Sequence, residues 1–305
     1  MKQILALVIV AACGDNIDPG DAWGLGVTTF DAVALGLTPP ALADPFASAI
    51  VPTAHLRVPT YDGSGQTVHP DVLREADRLL LAFTPYRYTN GRYENPSIAI
   101  SSDGMHFSEP APGVNPLVPA PPTDHNDDPD LHVDPVTGEY VMLYLDTERP
   151  AFQRLNALRS HDLVTWELST VHEYDLATGA PFVVSPAAVV QGTSTTIFDV
   201  HLASPHYLER DGVPVSISLG DVIPWHVDVF AVPTGYAMLV NGYRDDFERQ
   251  DLYLATSPDL VTWTFRPEPL LAWDDPSLDV TTLYRASGIV AGDRLIIWYS
   301  HQYAE

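Results

Sequence analysis

Carboxylates and imidazoles recur at one spacing along this chain. His69-Pro-Asp71, Asp128-Pro-Asp130 and His226-Val-Asp228 share it, and Ser185-Pro-Ala187 repeats it without an acid. Residues two apart on a strand share a face, so each pair presents two polar groups to the same side. Acids gathered from several such strands would repel one another and raise some of their pKa values, which gives a site one proton donor and one acceptor. That is the equipment of general acid–base hydrolysis. The same acids have a structural alternative, as strand-end caps that accept backbone amides from neighbouring strands.

The elements that position these residues are legible as a repeat. Ser101-Ser-Asp-Gly-Met-His-Phe107, Ser160-His-Asp-Leu-Val-Thr-Trp166 and Ser257-Pro-Asp-Leu-Val-Thr-Trp263 share the form Ser-x-Asp-[Gly/Leu]-x-x-aromatic. Ser and Asp bond their own backbone in tight turns. The aromatic then reaches the next strand as a core residue. Short β-rich runs precede each turn, the first polar-tipped and the second apolar. With the strand after the turn, each unit has four antiparallel strands and about 45–60 residues, the dimensions of a propeller blade. Ser185–Gly192 and Ser194–Ser204 supply a less regular unit, and the chain ends two strands into a fifth. Trp23–Phe30 and the following 31–37 are spare, and are expected to complete that last blade and close its open edge. The alternative is an irregular cap over residues 14–60. The expected fold is therefore all-β, a five-bladed β-propeller. His69–Val72, Asp128–Leu131, Ser185–Ala188, His226–Val229 and Arg285–Gly288 form equivalent innermost strands. Asp71, Asp130 and Asp228 then make one ring about the axis, and His69, Asp128 and His226 a second.

Bulk composition agrees. There are 28 Pro and 19 Gly in 305 residues, so turns are frequent and long helices few. A net charge of -25 argues against nucleic acid and against an anionic lipid face, both of which need clustered Lys and Arg. The single cysteine, Cys13, excludes an intramolecular disulfide. It follows Lys2, an apolar run from Ile4 to Val10, and Val-Ala-Ala, a pattern like a bacterial lipobox. Residues 1–13 are expected to be a lipoprotein-type signal, 14–22 a linker and 23–305 one domain. The protein is then exported, anchored by lipid on Cys13 to an envelope membrane, and monomeric.

The order of blades, the polar-tipped inner strands and the Ser-x-Asp-Leu-x-x-Trp turns resemble the five-bladed propeller glycosidases, including glycoside hydrolase families 43, 32, 68 and 130. Tyr93–Gly104 and Asp128–Tyr144 carry the likeness most strongly, and it covers roughly 65–305 as a match of pattern. The resemblance implies Asp71 as base or nucleophile on the first blade and Asp130 as the acid that orients sugar and tunes pKa on the second. It implies a Glu proton donor on the third. This chain departs there, with Ser185 and Ala187. Asp228, by symmetry, and Glu94, beside the mouth of the first blade, are the replacements. The departure also suits a carbohydrate-binding propeller without turnover.

Around these acids, His69, His226 and Asp128 are candidates for sugar-hydroxyl contacts, and so is Asn95. Trp225 is placed to stack on a sugar at the rim. Tyr284 and Arg285 reach the axis from the fifth blade, where Arg285 would either grip an anionic group or neutralise Asp130 or Asp228. No cofactor is expected. Asp124-His-Asn-Asp-Asp128 offers hard oxygen ligands that would suit calcium, without the fixed loop signature, and there is no His-x-x-x-His or cysteine set for zinc. The expected activity is hydrolysis of a poly- or oligosaccharide in an axial pocket.

Overall fold

A computed structural model describes residues 21–276, 278 and 282–304. The signal and Cys13 lie outside the described residues. Nineteen strands, in chain order, make five sheets.

The chain starts with β1 (Asp21–Asp31), a short helix α1 (Pro45–Ala49) and β2 (Thr53–Leu56). The first blade follows as β3 (Thr67–Arg74), β4 (Leu79–Pro85) and β5 (Ser97–Ser101). The second is β6 (His125–Val133), β7 (Tyr140–Glu148), β8 (Phe152–Ser160) and β9 (Glu167–Asp175). The third is β10 (Val183–Gln191), β11 (Ser194–His201), β12 (Tyr207–Arg210) and the two-residue β13 (Val213–Pro214). The fourth is β14 (Ile223–Val232), β15 (Gly235–Tyr243), β16 (Asp251–Ser257) and β17 (Thr264–Leu271). The fifth joins β18 (Thr282–Ala291) and β19 (Arg294–Ala304) to β1 and β2.

The fold is the expected five-bladed propeller, and its last blade is closed by the N-terminal segment. β1 pairs antiparallel with β19 along its whole length, from Asp21 opposite Ala304 to Asp31 opposite Arg294. The outermost strand differs from expectation. It is Thr53–Leu56, while residues 32–37 turn back at Gly36, where φ is +76°. The first blade also differs, with three strands. After the Ser101 turn the chain makes only an isolated bridge, Ile100 to Ser108, because Pro110 and Pro112 interrupt any ladder.

The repeated turns share one bonding scheme. The Oγ atoms of Ser101, Ser160 and Ser257 lie 3.0–3.2 Å from the Oδ1 atoms of Asp103, Asp162 and Asp259. Each Asp Oδ1 accepts two further amides, such as those of Met105 and His106. The residue after each Asp is left-handed: Gly104, Leu163 and Leu260 have φ of 72°, 64° and 61°. Leu tolerates that strained conformation because Leu163 and Leu260 are buried in the core below.

Apolar side chains fill all five seams between blades. Leu80, Ile98, Met142 and Leu158 join the first and second, and Leu143, Leu155 and Ile197 the second and third. Phe198, Val200, Val227 and Met238 join the third and fourth, and Leu239, Leu254 and Ile297 the fourth and fifth. Leu25, Val27, Phe83 and Trp298 close the ring between the fifth and first. Each fully buried Leu, Val or Phe contributes about 1.5–3 kcal/mol.

Candidate functional site

All five inner strands carry a register shift, at equivalent positions on β3, β6 and β10 and one residue earlier, at Trp225, on β14. The register shifts between Val68 and Asp71, Asp127 and Asp130, Val184 and Ala187, Pro224 and His226, and Leu283 and Ala286. In the first three the bulged residue has positive φ, 52° for His69, 50° for Asp128 and 59° for Ser185. A bulge re-aims one side chain and leaves it outside the ladder. The bulges set His69 and Asp128 in a layer apart from the acids two residues on, and His226, which stays in the ladder opposite Asn241, stands with them.

The outer layer of acids staples the blades together. Asp71 Oδ2 accepts the amide of Leu131 on the second blade at 2.6 Å, and Asp130 Oδ2 that of Ala188 on the third at 3.0 Å. Asp228 Oδ2 accepts the amide of Gly288 on the fifth at 3.0 Å. Ser287 completes the circuit, with Oγ accepting from Val72 N and lying 3.1 Å from Asp71 Oδ1. The third blade lacks an acid at Ala187, and Ser185 bridges instead: its Oγ accepts from Val227 N at 2.9 Å and donates to Val227 O at 2.7 Å. Where a proton donor was expected, this chain has a structural clasp to the fourth blade.

Oxygens of Asp71, Asp130 and Asp228 lie within 4.8 Å of one another and face a cavity of about 330 Å3, which His132 and Gly288 also line. Burial, with Asp130 and Asp228 alongside, pushes Asp71 well above the ordinary range. Burial and Asp130 push Asp228 up to about 7.

The inner layer is chemically different. His69, Asp128 and His226 each offer one donor atom, all within 4.8 Å, and all three are buried. Asp128 Oδ1 lies 3.6 Å from His69 Nε2 and 3.4 Å from His226 Nδ1. Its Oδ2 accepts the Ser185 amide at 2.8 Å. Neither His69 Nε2 nor either nitrogen of His226 has a hydrogen-bond partner. His69 Nδ1 is held by Thr84 Oγ1 at 2.9 Å, which turns Nε2 inward. Burial lowers His69 well below its usual value, against the pull of Asp128, and lowers His226 to about 4. Both rings are neutral, with lone pairs available. Burial would raise Asp128, but with both rings neutral the Arg285 guanidinium and the Ser185 amide oppose it and hold the carboxyl below the usual range.

Of the two expectations for Arg285, gripping an anionic substrate group or neutralising Asp130 or Asp228, the second is met with a different acid: it pairs with Asp128. Its Nη1 donates to Asp128 Oδ1 at 2.7 Å and its Nη2 to Pro129 O at 3.2 Å. Tyr284 packs edge-on to His226 at 4.7 Å and lies 5.2 Å from Trp23. Trp225 departs from the expected rim position. It is buried against Phe247, at 4.5 Å between ring centres, and turns an edge to His226.

Glu94 stands beside the inner layer, with Oε2 3.6 Å from His69 Nδ1 and both oxygens without hydrogen-bond partners. Burial raises its pKa well above normal; His125 opposes this, and Asp127 and Asp128 add to it. His125 is clamped between Asp124 Oδ1 at 2.6 Å and Asp127 Oδ2 at 2.9 Å. Burial works against its charge, but Asp127, Glu94 and Asp124 keep it protonated, well above its usual pKa. With both nitrogens engaged, His125 is a buried counter-ion and has no lone pair to give. This segment was the one that sequence alone suited to calcium. Asn95 is also committed: its Nδ2 donates to Tyr61 Oη at 3.0 Å and its Oδ1 accepts from Asn126 Nδ2 at 2.9 Å.

Two neutral imidazoles and a carboxylate fit a divalent transition cation, which takes nitrogen and oxygen donors with positions left open. Thr84 supplies the outer contact that fixes a ligating ring. Arg285 leaves Asp128 one free lone-pair direction on Oδ1.

No protein-family profile matches the sequence. Among curated proteins the chain is similar to an A type blood N-acetyl-α-D-galactosamine deacetylase of Flavonifractor plautii, 27% identical over 310 residues. That match covers 77% of this chain, which spans only 40% of the relative's length. Solved structures share the fold at low identity. A thermostable family-43 glycoside hydrolase aligns with a TM-score of 0.56 and 10% identity, covering 78% of this chain and 88% of that one. An exo-1,5-α-L-arabinanase from a bovine ruminal metagenomic library aligns at 0.52 and 13%, covering 76% and 92%. An endo-arabinanase of family 43 from Bacillus licheniformis aligns at 0.50 and 13%, covering 75% and 93%. The chain shares its five-bladed propeller architecture with these solved structures.

Proposed function

We propose that this protein is a carbohydrate-directed hydrolase that removes an acyl group from an amino sugar, working at the inner layer of the axis. The observation that carries this reading is the convergence of His69, Asp128 and His226, with unpartnered imidazole nitrogens. The named activity of the curated relative supports it.

In this reading His69, Asp128 and His226 would hold a divalent cation. A cation there would supply the positive charge that polarises a carbonyl toward attack by water. Asp128 contributes charge, kept ionised by Arg285. Glu94 moves the proton. It takes one from the attacking water as the C–O bond forms and passes it to the sugar nitrogen as the C–N bond breaks, leaving acetic acid, which ionises to acetate in solution, and a free amine. Burial raises its pKa, which makes it a stronger base for the first step. Trp23 and Tyr284 wall the site, and Ser185 braces it through Asp128 and Val227.

The test is to incubate the full chain with N-acetylated amino-sugar glycosides and follow acetate and reducing sugar separately. Acetate release, lost on chelation and restored by a divalent cation, is expected. Reducing sugar without acetate would contradict the proposal.

A second reading, cleavage of a glycosidic bond by Asp71, Asp130 and Asp228, is favoured by the cavity those acids face. The nearest oxygens of the three, within 4.8 Å of one another, suit the roughly 5–5.5 Å carboxyl spacing of a retaining enzyme better than the roughly 6.5–9.5 Å of an inverting one. Export and anchoring through Cys13 stay part of the proposal on the strength of the lipobox-like sequence.

A further inference from the structure

A second convergence of donors lies away from the axis, in the third blade. The β11–β12 ladder sets Asp199 opposite Glu209 and His201 opposite Tyr207. Two carboxylates directly opposite destabilise a ladder unless something lies between them. Asp199 and His201, two apart, share that face. His201 Nε2 is 3.1 Å from Asp199 Oδ1 and 3.5 Å from Glu209 Oε1. One donor atom from each of the three falls within 4.8 Å.

The aim of these groups matters more than their proximity. His201 is 5% exposed and Asp199 7%, yet neither His201 Nε2 nor Asp199 Oδ1 makes a hydrogen bond. The two atoms are in ion-pair contact without a directed hydrogen bond, and with Glu209 Oε1 beside them they leave buried donor capacity at one spot. Their outer atoms are held. Tyr207 Oη lies 3.2 Å from His201 Nδ1, and the two rings stack at 4.9 Å. Tyr174, on β9 of the second blade, donates to Asp199 Oδ2 at 3.4 Å. A metal-binding histidine characteristically has its second nitrogen fixed in this way.

We propose that Asp199, His201 and Glu209 bind a divalent cation of the zinc class, with water completing a four-coordinate shell. The site ties the β11–β12 ladder together and, through Tyr174, braces the second blade against the third. It is independent of the axial chemistry. The competing occupant is a proton on His201.

The experiment is a Zn2+ titration by calorimetry of the chelator-stripped full chain, beside His201→Gln, Glu209→Gln and the axial His226→Gln, with thermal melts of each. The wild type should bind an equivalent of zinc that His201→Gln and Glu209→Gln both lose and His226→Gln keeps. The zinc-induced rise in Tm should shrink in the same two variants. Should His201→Gln fail to fold, the near-isosteric Glu209→Gln carries the comparison alone. Equal stoichiometry in the wild type and Glu209→Gln, or no zinc bound by the wild type, overturns the site and leaves the proton in place.

Discussion

The two axial layers differ at the level of single groups. Asp228, at about 7 in the folded protein against about 3.9 unfolded, binds a proton in the native state that the unfolded chain gives up. Its contribution to stability is thus full below about pH 4 and lost as pH rises through about 7. Asp228→Asn keeps an oxygen for the Gly288 amide and carries no charge. It should flatten the fall in Tm between pH 4 and 8, and gain about 1–3 kcal/mol at pH 8. An unchanged pH slope would mean that this group is not titrating there. Arg285→Gln acts in the opposite sense. It leaves Asp128 buried without its counter-charge and should cost about 3–5 kcal/mol, seen as a lowered urea midpoint.

Among elements, closure of the fifth blade is the most exposed to a small change. Gly26 lies opposite Tyr299 in the β1–β19 ladder, and a Cβ there would sit 2.4 Å from the ring. Gly26→Ala should cost about 1–3 kcal/mol by overpacking, measurable by denaturant unfolding. A neutral result would show that Tyr299 can swing aside. Much of this level was legible in sequence. The Ser-x-Asp turns gave the repeat, and the x-Pro-Asp pattern aligned the inner strands, because both are short-range backbone chemistry. The bulges were not legible. His69 and Asp71 share a spacing that puts them on one face in a regular strand, and only the register shift separates them into layers. The clasp at Ser185 was hidden for the same reason, since its partner Val227 is 42 residues away. The Asp199, His201 and Glu209 cluster went unread in the sequence, because Glu209 joins the other two only through the β11–β12 hairpin.

For the whole molecule, the strong negative charge and the Lys2–Cys13 segment bear on where the protein works. Expressed with its full N-terminus in a bacterium, it should partition with membranes, and Cys13→Ser should release it to the soluble fraction. Membrane association that survives the substitution would exclude lipid on Cys13. The propeller sets five inner strands around one axis. Ring closure falls to Asp71, Asp130, Ser185, Asp228 and Ser287, with Asp128 also bonding Ser185 and Arg285 across blades, while His69 and His226 take no part in it.

The central claim is that chemistry belongs to the inner layer and closure to the outer. The most direct measurement is acetate release from an N-acetylgalactosamine glycoside by His226→Gln and Asp228→Asn side by side, both shown to be folded. His226→Gln should lose at least about 100-fold in kcat/KM, or some 2.7 kcal/mol of transition-state stabilisation, while Asp228→Asn stays near wild type. Loss in Asp228→Asn with His226→Gln still active would move the reaction to the acid ring and contradict the account.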